Sequence, residues 1–323
     1  MKKIIKIGIF IILFLGLYMY ACLVFTPKDK KDFGGDKFFS GYGYEVENKN
    51  TIDVLAIGNS DLYSSLVSQK LFGDYGYTVY SCGASKATLG MGERWLKEVS
   101  RNQQIKVLIV EADFIFETRY MGSIEQLLGR FRFFGSPFVY HAKWKQLKAR
   151  DFYQLPKREI DDLKGYRFSG KIKRIDREHP DYMMHDKKAK ITKNNIVILK
   201  RIINFCKKEN IQVLMYESPT FFSWNLSKSE LVQAICTKYN IPFIDFNLML
   251  DDIGFDMKND YRDNGNHLNY FGACKVTTFI GSYLNAHYKL DNHFDDVNYA
   301  SWQKSYNVYL QKVNKYLETA KCQ

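Results

Sequence analysis

The sequence predicts an α/β protein: one N-terminal transmembrane helix, then a doubly wound parallel sheet of about five strands carrying a helical insertion. Three observations lead there. Five short runs are almost wholly apolar, as strands buried on both faces are, and most end in small or acidic residues. Stretches with helical apolar spacing separate most of them, the order expected of a parallel sheet. An apolar run of 19 residues, Ile7 to Phe25, precedes them all.

That run is close to the ~20 residues that cross a bilayer as a helix. Lys2, Lys3 and Lys6 stand before it and favour a cytoplasmic N-terminus, while Lys28, Lys30 and Lys31 beyond it oppose that bias. Tyr18, Met19 and Tyr20 are too bulky for a cleavage site, so an uncleaved anchor is expected over residues 1–31. Residues 32–50, polar and Gly-containing, read as a stalk, and the α/β domain is expected over 51–290, outside the cytoplasmic membrane. Ile52 to Ile57 supplies its first strand, closed by Gly58-Asn59-Ser60, and 61–72 a helix. Tyr77 to Tyr80 is the second strand, 88–102 a helix, and Val107 to Val110 the third strand, ended by Glu111-Ala112-Asp113. An insertion, about 114–190, interrupts the alternation. Asn194 to Lys208 then repeats apolar residues at helical spacing, Val213 to Tyr216 is the fourth strand, 227–239 a helix and Pro242 to Phe246 the fifth strand. Tyr270 to Ala286 is a late helix, and 291–323 a helical tail.

The chain has 323 residues, 46% hydrophobic and 25% charged, a balance that excludes disorder as a reading of the whole. Its six cysteines, at 22, 82, 206, 236, 274 and 322, are scattered and form no CxxC, so no zinc ribbon or disulfide framework is expected. His141, His179 and His185 lack metal-ligand spacing, and Gly73-Asp74-Tyr75-Gly76 lacks the Lys-Ser/Thr of a phosphate loop, so neither metal nor cofactor is expected. The formal charge is +12, and Arg130 to Arg177 alone holds 14 Lys/Arg against 5 Asp/Glu. That excess reads as a solvated face or as contact with an anionic lipid or glycan surface. Nucleic acid is not an expected partner for a domain outside the membrane.

Two segments carry residues suited to chemistry. Ser60 follows a buried strand at the start of a helix, where a tight turn exposes its hydroxyl and its own N–H can face a developing oxyanion. The same pattern is also a common turn and N-cap. In the polar loop Asp260 to Asn269, His267 can act as general base for a serine. Asp263, four residues earlier, is the leading carboxylate to orient its ring, with Asp260 as the fallback. Glu217-Ser218-Pro219-Thr220, after the fourth strand, is a candidate substrate-shaping loop.

Together these segments resemble the SGNH (GDSL-like) hydrolase superfamily, whose first block is Gly-Asp-Ser and whose last is Asp-x-x-His. The closest resemblance is to a membrane-anchored bacterial branch with Gly-Asn-Ser in the first block and His-Leu-Asn-x-x-Gly-Ala-x-Lys in the last. Here the last reads His267-Leu268-Asn269-Tyr270-Phe271-Gly272-Ala273-Cys274-Lys275. The resemblance covers about 50–290 outside the insertion and implies a flavodoxin-like sheet. It implies Ser60 as nucleophile, His267 as base, Asp263 as its orienting group, and the N–H groups of Ser60 and Gly83 as oxyanion donors. Three departures accompany it: Asn59 replaces Asp, Asp263 lies one residue farther from His267 than the family spacing, and Glu111-Ala112-Asp113 stands where a Gly-x-Asn block belongs.

Members of that branch, including the D-alanyl-teichoic-acid and alginate-acetylation proteins, handle acyl groups on surface polymers. The resemblance therefore implies a serine esterase or O-acyltransferase acting on acetyl or related esters of a cell-envelope polysaccharide or teichoic acid, bound to the bilayer through residues 7–25. The missing third block leaves open a non-catalytic module that binds polymer or a membrane O-acyltransferase. The anchor and basic insertion leave open a lipid esterase.

Overall fold

The computed structural model describes residues 2–29, 43–118, 135–157, 159–175, 182–184 and 188–321. Much of the stalk at 32–50, the aromatic stretch 119–134, His179, His185 and Cys322 lie outside the described residues. The chain divides into two compact units: Met1–Phe39 with Arg119–Glu159, and Ser40–Thr118 with Ile160–Gln323.

In the first unit, helix α1 (Lys2–Phe25) is long and apolar enough to span a membrane. Most of its large apolar side chains, from Ile4 to Tyr20, are exposed, a surface that water penalises and hydrocarbon accepts. Its C-terminal end is held by polar contacts. Thr26 Oγ1 lies 2.7 Å from Ser136 Oγ, Tyr20 donates to the Phe152 carbonyl at 3.0 Å, and Arg150 pairs with Asp29 at 2.6 Å. The insertion expected over 114–190 is thus divided: its described residues 135–157 and Glu159 fall in the unit of α1, while 114–118 and its described residues from Ile160 fall in the unit of the sheet. Its described regular structure is short: a helical turn at Ser136–Val139 and 3₁₀ turns at His141–Gln146 and Ala149–Phe152.

The second unit is a five-stranded parallel sheet, β1 (Val54–Gly58), β2 (Val79–Gly83), β3 (Val107–Glu111), β4 (Gln212–Glu217) and β5 (Phe243–Asp245), in the order β2-β1-β3-β4-β5. This is the expected flavodoxin-like order. Every residue of β1, β2 and β3 is buried, which is why these strands lack alternation. The chain leaves β1 for β2 on one side and then crosses to β3 on the other. That reversal opens a crevice at the carboxyl ends of β1 and β3, where ligands bind in such sheets.

The helices are α2 (Ser60–Ser65), α3 (Ser68–Tyr75), α4 (Leu89–Val99), α5 (Lys193–Lys208), α6 (Leu226–Tyr239), α7 (Tyr270–His287) and α8 (Ala300–Lys321). The single helix expected over 61–72 is instead two. Leu66 is extended, and the freed N–H of Val67 donates to Thr277 Oγ1 of α7 at 2.9 Å. A tertiary acceptor replaces the lost helical one, so the break leaves no orphaned donor. The C-terminal tail is helical and packs on α3 through Phe72, Trp302 and Tyr306.

The edge of the sheet at β2 is covered. Ser81 N–H donates to the Lys164 carbonyl at 2.9 Å, and the fully buried Lys164 ammonium pairs with Glu47 at 2.6 Å. Gly165 turns the chain away at φ +91°, and a Cβ there would stand 1.8 Å from the Ser81 carbonyl oxygen. Such cover keeps an edge strand from pairing with another chain. Gly165→Ala is expected to cost about 2 kcal/mol or more through backbone strain and this clash, read as a lowered Tm in thermal unfolding.

Candidate active site

Ser60 is the first residue of α2, directly beyond β1. Its turn is held from both sides of Asn59. The Asn59 side chain caps α2 by accepting the Asp61 N–H at 2.7 Å, and its own N–H donates to Glu111 Oε2 at 3.1 Å. The cap requires only an oxygen acceptor, which Asn supplies as well as Asp. A neutral side chain also avoids adding a carboxylate beside Asp61 and Glu111. Gly83 pairs in register with Gly58, and a Cβ on Gly83 would lie 3.0 Å from the Asn59 carbonyl oxygen. The close approach of β2 to the Ser60 turn therefore favours a residue without a side chain.

His267 comes from the loop before α7. Asp263 Oδ1 accepts the N–H groups of Asn266 and His267, both at 2.9 Å, which leaves Oδ2 to meet His267 Nδ1 at 2.6 Å. Burial works against the Asp263 charge, but the hydrogen bonds from the His267 ring and backbone hold its carboxyl below the usual range. The extra residue of spacing is absorbed by Gly265, at φ +93°, whose carbonyl accepts the Phe221 N–H. Asp260, the fallback, is engaged elsewhere: it pairs with Lys275 at 2.7 Å and accepts the Asp256 N–H. The other ring nitrogen, His267 Nε2, lies 3.9 Å from Asp61 Oδ1, so the two segments meet at the crevice.

The block around His267 has a physical logic. Buried Asn269 caps α7 by accepting the N–H groups of Phe271 and Gly272, and its amide donates to the carbonyls of Asn259 and Tyr261. A Cβ on Gly272 would lie 2.6 Å from the Asp260 carbonyl oxygen, so glycine lets the helix start against the loop. Ala273 is fully buried, and Lys275 holds Asp260.

Below the crevice lies an acidic floor that motif reading missed. Oxygens of Asp61, Glu111 and Glu217 stand within 4.8 Å of one another, and all three residues are buried. Glu111 also accepts the Phe114 N–H, and Glu217 Oε2 accepts the Asp113 N–H. Glu217 Oε1 has no hydrogen-bond partner among the described residues. Burial, reinforced by the Asp113 charge, pushes Glu111 up to about 8. Burial and the Glu111 charge raise Asp61 and Glu217 as well. Glu111 therefore retains its proton near neutral pH, and Asp61 and Glu217 shift in the same direction, which lets carboxyls sit side by side in a dry site. Asp113, in the position of the absent Asn block, is paired with Lys228, which also faces the rings of Phe116 and Trp224. The sequence signal was present: Glu111 and Glu217 each end a buried parallel strand, where an acid is unusual. A second grouping, of carboxylate oxygens of Asp53 and Asp291 with a ring nitrogen of His293, already holds a cation, Lys106, at 3.0 Å from Asp53 and 2.6 Å from Asp291. Glu217 to Thr220 is buried and tied to Asn247, so it underlies the surface that Phe222, half exposed, presents.

No family model matches this chain, and no curated protein matches it. Solved structures do. A GDSL-like lipase from Bacteroides thetaiotaomicron aligns at 10% identity and a TM-score of 0.38, covering 72% of this chain and 87% of its own. The psychrotrophic esterase EstA from Pseudoalteromonas sp., inhibited by monoethylphosphonate, aligns at 12% identity and a TM-score of 0.37, covering 72% and 99%.

The acidic floor makes stability fall with pH. An ordinary glutamate loses its proton near 4.5 and folded Glu111 at about 8, so between these values the native state binds more protons than the unfolded one. Raising pH through that window favours unfolding. Glu111→Gln keeps an oxygen acceptor for Asn59 and removes the titration. Its loss of stability from about pH 5 to pH 8 is expected to be smaller than the parent's, read by denaturant unfolding at both values.

Proposed function

We propose that this chain is a membrane-anchored serine esterase or O-acyltransferase of SGNH type. Its substrates are acyl esters, chiefly acetyl, of a cell-envelope polysaccharide or teichoic acid. The observation that carries the reading is the His267–Asp263 hydrogen bond of 2.6 Å on a ring whose Nε2 faces the first turn of α2, where Ser60 begins the helix. Helix α1 anchors the protein, and the sheet domain works outside the cytoplasm.

Each residue has a task. Ser60 Oγ attacks the ester carbonyl carbon while His267 Nε2 takes its proton. Asp263 holds the ring with Nδ1 protonated and stabilises the imidazolium. The N–H groups of Ser60 and Gly83 receive the oxyanion, a contribution of about 10²–10³ in rate per donor. The carbonyl reforms, the C–O bond to the polymer breaks, and His267 returns its proton to the leaving alkoxide. Water or a second hydroxyl then attacks the Ser60 ester with His267 again as base, giving hydrolysis or transfer.

A second reading, a non-catalytic partner for a membrane O-acyltransferase, is favoured by two features. Asp61 faces His267 Nε2 at 3.9 Å, and Asp113 stands where a donating Asn belongs. Active-site labelling separates the two. The detergent-solubilised full chain, treated with a fluorophosphonate, is expected to carry the adduct on Ser60 by mass spectrometry. Ser60→Ala abolishes it and His267→Ala slows it at least about 10²-fold. A folded protein that never labels sinks the esterase reading. Asp263→Asn, which disturbs the ring's tautomer, is expected to lower kcat for a small acetyl ester by about 10²–10⁴ with little change in KM.

A further inference from the structure

The acidic floor has the makings of a ligand set that ester chemistry does not require. Asp61 in the first turn of α2, Glu111 at the end of β3 and Glu217 at the end of β4 each offer a carboxylate oxygen, and these oxygens lie within 4.8 Å of one another. Backbone N–H groups fix two of the three carboxyls. Glu111 accepts from Asn59 on Oε2 at 3.1 Å and from Phe114 on Oε1 at 3.2 Å, and Glu217 accepts from Asp113 on Oε2 at 2.7 Å. Metal-ligand spacing along the chain does not register the set, because its members come from three distant segments.

The remaining oxygens lack donors. Glu217 is 0% exposed, and its Oε1 has no hydrogen-bond partner among the described residues. Asp61 is 6% exposed, and among the described residues neither of its carboxylate oxygens accepts a hydrogen bond; His267 Nε2, 3.9 Å from Oδ1, is beyond that reach. Buried polar groups are otherwise partnered, so two such carboxyls facing one another call for a ligand. Among the described residues no Lys or Arg pairs with Asp61, Glu111 or Glu217. Elsewhere in the same domain clustered acids do meet an ammonium: Lys106 holds Asp53 and Asp291, and Lys228 holds Asp113 at the border of the floor.

We propose that Asp61, Glu111 and Glu217 form a binding site for one hard divalent cation of the Mg²⁺, Mn²⁺ or Ca²⁺ kind. Carboxylate oxygens are the donors these ions select, and the set contains no thiolate or imidazole that a softer metal would favour. Three carboxylates leave further coordination positions to water. Buried carboxylates keep their charge only beside a cation, and the protons that otherwise neutralise them leave as the ion binds. The ion ties the start of α2 to the ends of β3 and β4, and so braces the turn that carries Ser60. The site stands whether or not Ser60 is a nucleophile.

The test titrates Mn²⁺ into the detergent-solubilised full chain, first stripped with a chelator, while the paramagnetic resonance signal of the free ion is followed. One Mn²⁺ per chain is expected to bind with a Kd of about 10⁻³ M or tighter, and Mg²⁺ or Ca²⁺ to displace it. Saturation is expected to raise Tm, because the ion binds the folded state. Glu217→Gln and Asp61→Asn each weaken binding at least about 10-fold and lose the rise in Tm. Both substitutions keep the side chain's shape and remove a crowded acid. Their Tm in chelator is therefore expected at or above the parent's, which separates a lost ligand from a misfolded chain. Asp291→Asn, in the grouping that Lys106 fills, binds Mn²⁺ as the parent does. No bound ion, Mn²⁺ that neither Mg²⁺ nor Ca²⁺ displaces, or equal binding by the parent and both floor variants overturns the proposal. Neither readout is activity, so failure of the esterase reading and failure of the cation site are told apart.

Discussion

The N–H of Asn59 ends in the carboxyl of Glu111, and the Ser60 turn hangs from that bond. It spans the point where the winding of the sheet reverses, joining the end of β1 to the end of β3. A backbone donor buried there needs an acceptor, because leaving it unmade costs about 1–3 kcal/mol. A side chain supplies it, since the strand ladder has ended. Gly58 permits the approach: a Cβ on it would meet the Glu111 Cβ at 2.8 Å. The Ser60 turn, the β3 terminus and the acidic floor thus share one small volume.

That solution has an electrostatic consequence. Glu111 brings Glu217, Asp113 and Asp61 into the same dry space, and such a group persists only by holding protons or a counter-cation. Both devices are present. Glu111, pushed up to about 8, holds its proton near neutral pH, and Lys228 neutralises Asp113. Clusters of displaced carboxyls of this kind gather at functional sites more often than in ordinary cores.

The His267 loop solves a different problem. Its side-chain geometry is local, set by two backbone N–H groups that steer Asp263 onto the His267 ring. Its placement is not local. Asn269, Gly272 and Lys275 bind the loop to the start of α7, while the carbonyls of Tyr261 and Ser169 tie it to the basic segment. The residues that make the block recognisable are mostly those that seat it.

Much of this was legible in the sequence because it is written in short-range patterns. Apolar runs marked all five strands, helical spacing marked most of the helices, and the polar loop before α7 marked His267 with two candidate carboxylates. The apolar run before Phe25 marked a helix able to span a membrane. Tertiary structure decided the rest. It chose Asp263 over Asp260 because Lys275, a turn into α7, claims Asp260. It broke the helix after Ser65 because Thr277 offers Val67 an acceptor from more than two hundred residues away. It set the end of α1 against Ser136, Arg150 and Phe152 and gathered Asp61, Glu111 and Glu217 from the first turn of α2 and the ends of β3 and β4. Periodicity and turn chemistry act between neighbours in the chain. Which buried polar groups satisfy one another depends on which segments the sheet brings together, and no local pattern encodes that.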